Sequence, residues 1–365
     1  MNNRFLIPLL CCLWLLVNQK LHAQVKEYSK NDRLLEENVQ GKVKYISRNV
    51  YAAKGTIAQV QKVANIMKFE LEFDSAKNII LDGRYSMEDN SSHKAIYTYD
   101  KWDHEIEVRE YFNPESYLDS KFVNVYNNAG HKITATAYRA NGSTLYIDTF
   151  IYDNKGFLVE SYIINPYERF NWKNTYINYA KGTIAESRAY NYVENYKKYE
   201  LNFIKNNQYS STGKEIQHKW VLGDGRIYEI VQYKYDSKDT LVEKIVYSMD
   251  SILSRREAIS YDKKKKIKET VVISYDEKGV PATEYQQHDW HGKLLKDTSS
   301  QHYISYSYHK YGNVKEVVEI KPNDDINSKT TYQYTYDKKG NWLSKTTFVN
   351  SEAKEFVERT IIYYE

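Results

Sequence analysis

Tyr332-Gln333-Tyr334-Thr335-Tyr336-Asp337-Lys338-Lys339-Gly340-Asn341-Trp342 is the stretch whose reading decides the fold. Its first five residues alternate a ring with a polar side chain, the period of a strand with one drier and one wetter face. Asp337 then opens a corner: an aspartate can bond its own backbone two residues on, and Gly340 supplies the positive φ that closes a tight turn. Trp342 restarts the apolar pattern, so the stretch reads as strand, reversal, strand.

The motif recurs along the chain. Firm copies are Tyr97-x-Tyr99-Asp100, Tyr152-Asp153 to Gly156, Tyr233-x-Tyr235-Asp236, Tyr261-Asp262 and Tyr275-Asp276 to Gly279. Looser ones are Phe73-Asp74, Tyr126-Asn127 to Gly130, Tyr179 to Gly182, Tyr209 to Gly213 and Tyr308-His309 to Gly312. Most steps between copies are 26 to 30 residues. Between them lie weaker turn signals: Asn113-Pro114-Glu115, Asn141-Gly142, Gly223-Asp224-Gly225, Asp289-Trp290-His291-Gly292 and Pro322 to Asp325. A turn about every 13 residues is the rhythm of short strands joined by hairpins.

Counting back from the corners, alternate positions are aromatic or branched: Val231, Tyr233 and Tyr235, or Val271, Ile273 and Tyr275. Beyond them Leu158, Leu241, Ile267, Val314 and Trp342 return to face the tyrosines, cross-strand pairs worth roughly 0.2 to 1 kcal/mol each. The step from Asp262 to Asp276 is only 14, which places those two turns on opposite edges of the sheet and suggests a phase change or seam near 262–276. The expected fold is all-β with little helix: a long antiparallel β-hairpin repeat array of about twenty strands. Accumulated twist of roughly 20 to 25° per strand forbids a flat sheet of that size, so a rolled or spiralling meander is expected.

The amino terminus reads as an export signal, with Arg4, an apolar run from Phe5 to Val17, and a close on Leu21-His22-Ala23. That run is shorter than the roughly 20 residues a spanning helix needs, and no later run is longer, so no membrane span is expected. The division is therefore 1–23 signal peptide, 24–38 N-terminal arm and 39–365 repeat array, with the mature protein periplasmic or secreted. Lipid attachment at Cys12 would leave Leu13 to Val17 where a polar tether belongs, which favours cleavage after Ala23. Both cysteines, Cys11 and Cys12, leave with the signal, and stability must then come from pairing and packing. Loss of Arg4 and Lys20 takes 52 basic residues to 50 against 48 acidic, a net charge of +2 that gives no argument for nucleic acid. Tyrosine is the outlier at 37 residues, a composition that favours half-buried strands.

Tyr334 to Asn341 and its copies resemble the Tyr-Asp repeat, also called the RHS-type repeat. The segment Leu35 to Lys44 is similar to the opening of uncharacterised exported repeat proteins of Bacteroidetes. The resemblance implies an extracytoplasmic β-repeat protein. In RHS-type toxins such repeats build a shell around a toxic carboxy-terminal domain, whereas this sequence stops within the repeats.

Candidate sites compete with plainer roles. His288-Asp289-Trp290-His291, with His302, puts histidines at a spacing that suits neither a strand face nor a zinc site, and reads as a polar turn. Asp153, Asp236, Asp262, Asp276 and Asp337 lack the ligand density of a calcium loop, and turn formation accounts for them. No metal or other cofactor is expected, and no pair of carboxylates stands out as catalytic. Trp102, Trp172, Trp220, Trp290 and Trp342 are the candidates for a ligand surface, since rings beside amides can stack on sugars or peptides. The functional expectation is an exported, non-catalytic scaffold or binding module for a protein or glycan. Its alternatives are a polysaccharide-acting enzyme and an accessory or immunity-like partner of a secreted toxin.

Overall fold

The computed structural model describes residues 39–112, 117–166, 171–193, 197–264, 266–276, 278–289, 293–299, 303–321 and 325–365. The expected signal peptide and arm, with Trp290, His291 and His302, lie outside the described residues. The first half of the sheet comprises β1 (Val43–Thr56), β2 (Gln59–Phe73), β3 (Ile79–Ser86), β4 (Ser91–Tyr99), β5 (Glu105–Phe112), β6 (Leu118–Tyr126), β7 (Lys132–Arg139), β8 (Thr144–Tyr152), β9 (Leu158–Ile164), β10 (Trp172–Asn178), β11 (Ile184–Val193) and β12 (Lys198–Tyr209). The second half comprises β13 (Glu215–Leu222), β14 (Ile227–Tyr235), β15 (Leu241–Ser248), β16 (Ile252–Tyr261), β17 (Ile267–Tyr275), β18 (Pro281–His288), β19 (Leu294–Thr298), β20 (Tyr303–Tyr308), β21 (Val314–Ile320), β22 (Ile326–Tyr336), β23 (Trp342–Val349) and β24 (Glu352–Tyr363). The only helical element among the described residues is a 3-10 turn at Met249–Ser251.

Every strand pairs antiparallel with its chain neighbours, and β24 pairs with β1, so the 24 strands close into one barrel. Closure is how a meander of this length disposes of the unpaired backbone that two free edges would expose. The longest pairing is at the seam, where β1 runs 14 residues between a 15-residue β2 and a 12-residue β24. Val43, Ile46, Leu71 and Phe73 are buried there, with Val39, Ile79, Ile361 and Tyr363 packed against them.

The repeat's chemistry is visible in the turns that open on aspartate. In the copy at 153–157, Asp153 N–H donates to Phe157 O (2.9 Å) and Gly156 N–H to Asp153 O (3.0 Å). Oδ1 of the same aspartate accepts from Lys155 N–H and Phe157 N–H, both at 2.9 Å, so one side-chain oxygen satisfies two amides of the corner. The last tyrosine before the turn and the first apolar residue after it pair across a bulge: Tyr152 with Leu158, Tyr235 with Leu241, Tyr261 with Ile267, Tyr308 with Val314, Tyr336 with Trp342. The cross-strand pairs expected from sequence are therefore formed.

One rim carries turns of this design at 74–78, 100–104, 127–131, 153–157, 179–183, 210–214, 236–240, 262–266, 289–293, 309–313 and 337–341. The Asp276 turn belongs to the other rim, since β17 lies between it and the Asp262 turn. The place a further copy would occupy on the first rim is taken by the turn at Asp289, where Lys293 N–H donates to Asp289 Oδ1 at 2.9 Å. The half-period step is thus a step across the sheet, and pairing runs unbroken from β16 through β20. Being half a repeat out of phase also reverses the faces: Thr270 and Val272, not Val271 or Ile273, are the buried residues of β17.

Candidate functional site

Cross-strand partners share a face, so each face of the sheet can be traced around the barrel. One runs Tyr97, Val108, Phe122, Ala137 and Tyr146, and its continuation includes Val231, Tyr233 and Tyr334. The other runs Ile96, Arg109, Lys121 and Tyr138. Most fully buried side chains, including Ala95, Val108, Ala137, Asn174, Phe203, His218 and Val231, belong to the first. Side chains converge on the concave side of a closed sheet, so this crowded, tyrosine-bearing face is the inside.

The titrating groups of the two faces differ accordingly. On the inside, burial pushes the Tyr146 phenol up to about 12, helped by Asp148 and Glu110, and takes Tyr233 to about 12. Tyr334 is raised by burial as well. Asp148, pressed between its cross-strand partners Ala135 and Ile163, is pushed by burial up to about 7, against the pull of Lys132. On the outside, charges come in pairs: Lys68 with Glu70 (2.8 Å), Arg109 with Glu107 (2.7 Å), Lys173 with Glu160 (2.6 Å), Arg188 with Glu186 (2.7 Å), and Glu243 between Lys234 and Arg256. Bonds from Lys234 and then Arg256 hold the Glu243 carboxyl below the usual range.

Around the rim, the tyrosine before most of the turns is a clasp. Its hydroxyl crosses to the first residue of the strand on the far side: Tyr99 to Ile79 O (2.8 Å), Tyr152 to Lys132 O (3.0 Å), Tyr235 to Glu215 O (2.8 Å), Tyr261 to Leu241 O (2.7 Å). Where asparagine replaces it, Asn178 Nδ2 makes the same bond to Leu158 O at 2.8 Å. Asn124 and Asn207 reinforce their neighbours' bonds, each donating to the carbonyl its tyrosine also meets. Sequence reading missed these asparagines, although Asn124 and Asn207 each stand two residues before a turn tyrosine and that spacing was available. Turn residues also stack on the next hairpin, His104 on Tyr126 (4.5 Å between centroids, 14° between planes) and His131 on Tyr152 (4.7 Å, 26°).

The tryptophans separate into two kinds. Trp172 and Trp220 pack against buried Ala189 and Phe203, and Trp342 lies under the Arg359 guanidinium, 4.2 Å from its ring centroid. These serve the core. Trp102 stands at the turn between β4 and β5 with 66% of its surface exposed. It lines an open cleft of about 730 Å³ with His104, Tyr126, Asn127, Asn128 and Gly130. A second cleft, of about 450 Å³, follows one hairpin further on around His131, Tyr152 and Asn154, and shares Asn127 with the first. Of the histidine quartet, only His288 and Asp289 lie among the described residues, and Asp289 holds a turn.

No family model matches this sequence, and no curated protein sequence matches it either. Among solved structures, the Tc holotoxin pore of Photorhabdus luminescens is similar at 10% identity with a TM-score of 0.26, covering 86% of this chain and 25% of that one. The chain thus spans about a quarter of that component's length. A porin-like protein from Bacteroides uniformis is similar at 12% identity and a TM-score of 0.21, covering 88% of this chain and 98% of that one. One from Bacteroides vulgatus gives 6% and 0.22, covering 89% and 99%. TM-scores this low carry no argument about function.

Proposed function

We propose that this chain is an exported, non-catalytic scaffold that presents the surface of a closed β-repeat barrel to a protein or glycan outside the cytoplasm. The observation that carries the reading is the use made of the repeated polar groups. The turn aspartates hold backbone amides and the rim tyrosines hold carbonyls, so the most abundant reactive side chains are spent on the fold. What remains for recognition is broad, regularly spaced surface. The outside supports an aqueous location: a lipid-facing barrel surface needs an apolar band, whereas this one carries the Lys68–Glu70, Arg109–Glu107, Lys173–Glu160 and Arg188–Glu186 pairs.

The polysaccharide-acting enzyme has one observation in its favour, the buried acid Asp148, whose raised pKa suits a proton donor. Its cross-strand partners, Ala135 and Ile163, supply no second carboxylate for glycoside hydrolysis. The test is a pull-down from culture and envelope fractions paired with a glycan array, using protein that begins at Gln24, with reducing-sugar release measured on every glycan that binds. Saturable binding without turnover supports the scaffold. Sugar release abolished in Asp148→Asn replaces it with the enzyme.

A further inference from the structure

We propose that the two adjoining clefts on the rim, between the turns at 100–104, 127–131 and 153–157, form a groove for an extended, neutral oligosaccharide, with the Trp102 indole as its stacking platform. This rests on the scaffold reading and narrows its ligand to a glycan.

The first argument is that the turn does not ask for tryptophan. Trp102 is the second residue after Asp100, and the equivalent position is lysine in five other copies on this rim, Lys155, Lys181, Lys238, Lys264 and Lys339, and in the Asp276 copy on the other, Lys278. The backbone role is only to donate an amide to the turn aspartate, as Trp102 does to Asp100 Oδ1 at 2.8 Å. A solvated lysine meets that need, yet here a large ring is left 66% exposed. Its neighbours are nevertheless defined, with the Lys101 ammonium 4.3 Å from its centroid and the His104 ring centroid 6.3 Å away.

The second argument is the chemistry around the ring. The His104–Tyr126 stack makes an aromatic wall, and Gly130 leaves it room: a Cβ there would come within 3.2 Å of His104 Nε2. Asn127 Oδ1 is occupied by the amides of Ala129 and His131, which turns its NH2 group outward from those bonds, and Asn128 is exposed beside it. The cleft's one carboxylate, Asp100, already accepts from Trp102 N–H, His104 N–H and the His104 ring. Rings beside neutral amides, with the acid already bonded and a lysine nearby, suit the C–H faces and hydroxyls of uncharged sugars and disfavour a cationic ligand.

The third argument is periodicity. Consecutive rim turns are two strands apart, roughly 9.6 Å at the usual strand spacing. That is about the length of two linked sugar rings. The neighbouring cleft repeats the aromatic wall as His131 on Tyr152 and reuses Asn127, with Ala129 in the place of Trp102, so a linear chain anchored on the indole meets a second aromatic wall one repeat further along the rim.

The experiment is calorimetric titration of the protein from Gln24 onward with hexasaccharides of β-glucan, xylan, mannan and chitin, alongside Trp102→Ala, Asn128→Ala and, as a copy-equivalent control away from the groove, Lys238→Ala. At least one hexasaccharide binds, with trisaccharides of the same sugar weaker. Trp102→Ala weakens it about tenfold or more, a change of about 1.4 kcal/mol, Asn128→Ala has a smaller effect, and Lys238→Ala leaves it within twofold. Circular dichroism spectra and melting temperatures of the variants match the parent. Unchanged binding in a folded Trp102→Ala overturns this site while leaving a glycan-binding scaffold intact. No binding to any neutral hexasaccharide overturns the groove, and a specific protein ligand found in the pull-down would then carry the scaffold reading alone.

Discussion

Asn341 and Gln40, 301 positions apart in sequence, exchange two hydrogen bonds: Gln40 N–H donates to Asn341 Oδ1 at 2.7 Å, and Asn341 Nδ2 donates to Gln40 O at 2.9 Å. A side-chain amide here imitates a strand partner, and it does so at the seam. The same Nδ2 meets Tyr363 Oη, which itself donates to Asp337 Oδ2 at 2.5 Å. Asn341 is only 1% exposed, and its loss removes the partners of the part-buried N–H and C=O of Gln40. Asn341→Ala is expected to cost about 2 to 3 kcal/mol, read as a lower urea midpoint. Equal midpoints would show that the seam is held by the β1–β24 ladder alone.

Turn chemistry gives a pair of opposite effects. Asp153→Ala removes the acceptor of two amides and should destabilise by about 1 to 2 kcal/mol, as loss of a cap does at a helix end. Asp239 occupies the usual glycine position with φ of 58°, and Asp239→Gly is expected to stabilise by a few tenths to about 1 kcal/mol. Thermal melts of both decide it. A destabilised Asp239→Gly would mean that chain entropy outweighs the relief of backbone strain.

The strands, the reversal points and the apolar partners across each turn were legible in sequence because each depends on neighbours within about ten residues. Closure was not. Whether a meander spirals or meets itself depends on how β1 and β24 fit, and no local signal in Val43–Thr56 names Glu352–Tyr363 as its partner. The rim of the Asp276 turn, by contrast, was legible: its half-period step from Asp262 put it on the opposite edge, where the pairing of β16, β17 and β18 places it. Among the tryptophans, composition could not separate Trp102 from Trp172 and Trp220. The difference is position, one on a corner and two on strands beside Phe203.

The rim clasps predict a modest, repeated contribution. Tyr235→Phe keeps the ring and removes only the hydroxyl that reaches Glu215 O, so a loss of about 0.5 to 1.5 kcal/mol is expected. Tyr99→Phe removes a clasp on another part of the rim, to Ile79 O, and the two should add, because they share no partner. A double mutant far less stable than that sum would show that the rim behaves as one cooperative ring.

Asp148 makes stability fall with rising pH, the reverse of a salt-bridged carboxylate. Burial raises its pKa from 3.8 to about 7, and Oδ1 has no partner among the described residues. Below about pH 4 the group is protonated whether the chain is folded or not, and its burial carries no ionic penalty. Between about 4 and 7 the unfolded chain releases the proton while the folded chain keeps it, so the native state loses ground with each step upward. Above 7 the penalty is full, with an upper bound of roughly 4 kcal/mol from the two pKa values. Other carboxyls, Glu243 and Asp236 among them, are held low and shift stability the opposite way. The informative quantity is therefore a difference between proteins. Asp148→Asn imitates the protonated acid at every pH: it should match the parent at pH 3.5 and exceed it at pH 8, with the gap opening through the interval between. Urea midpoints at those two values test this. A gap that stays constant with pH would mean that Asp148 titrates normally in the folded barrel, with water reaching its carboxylate from the lumen.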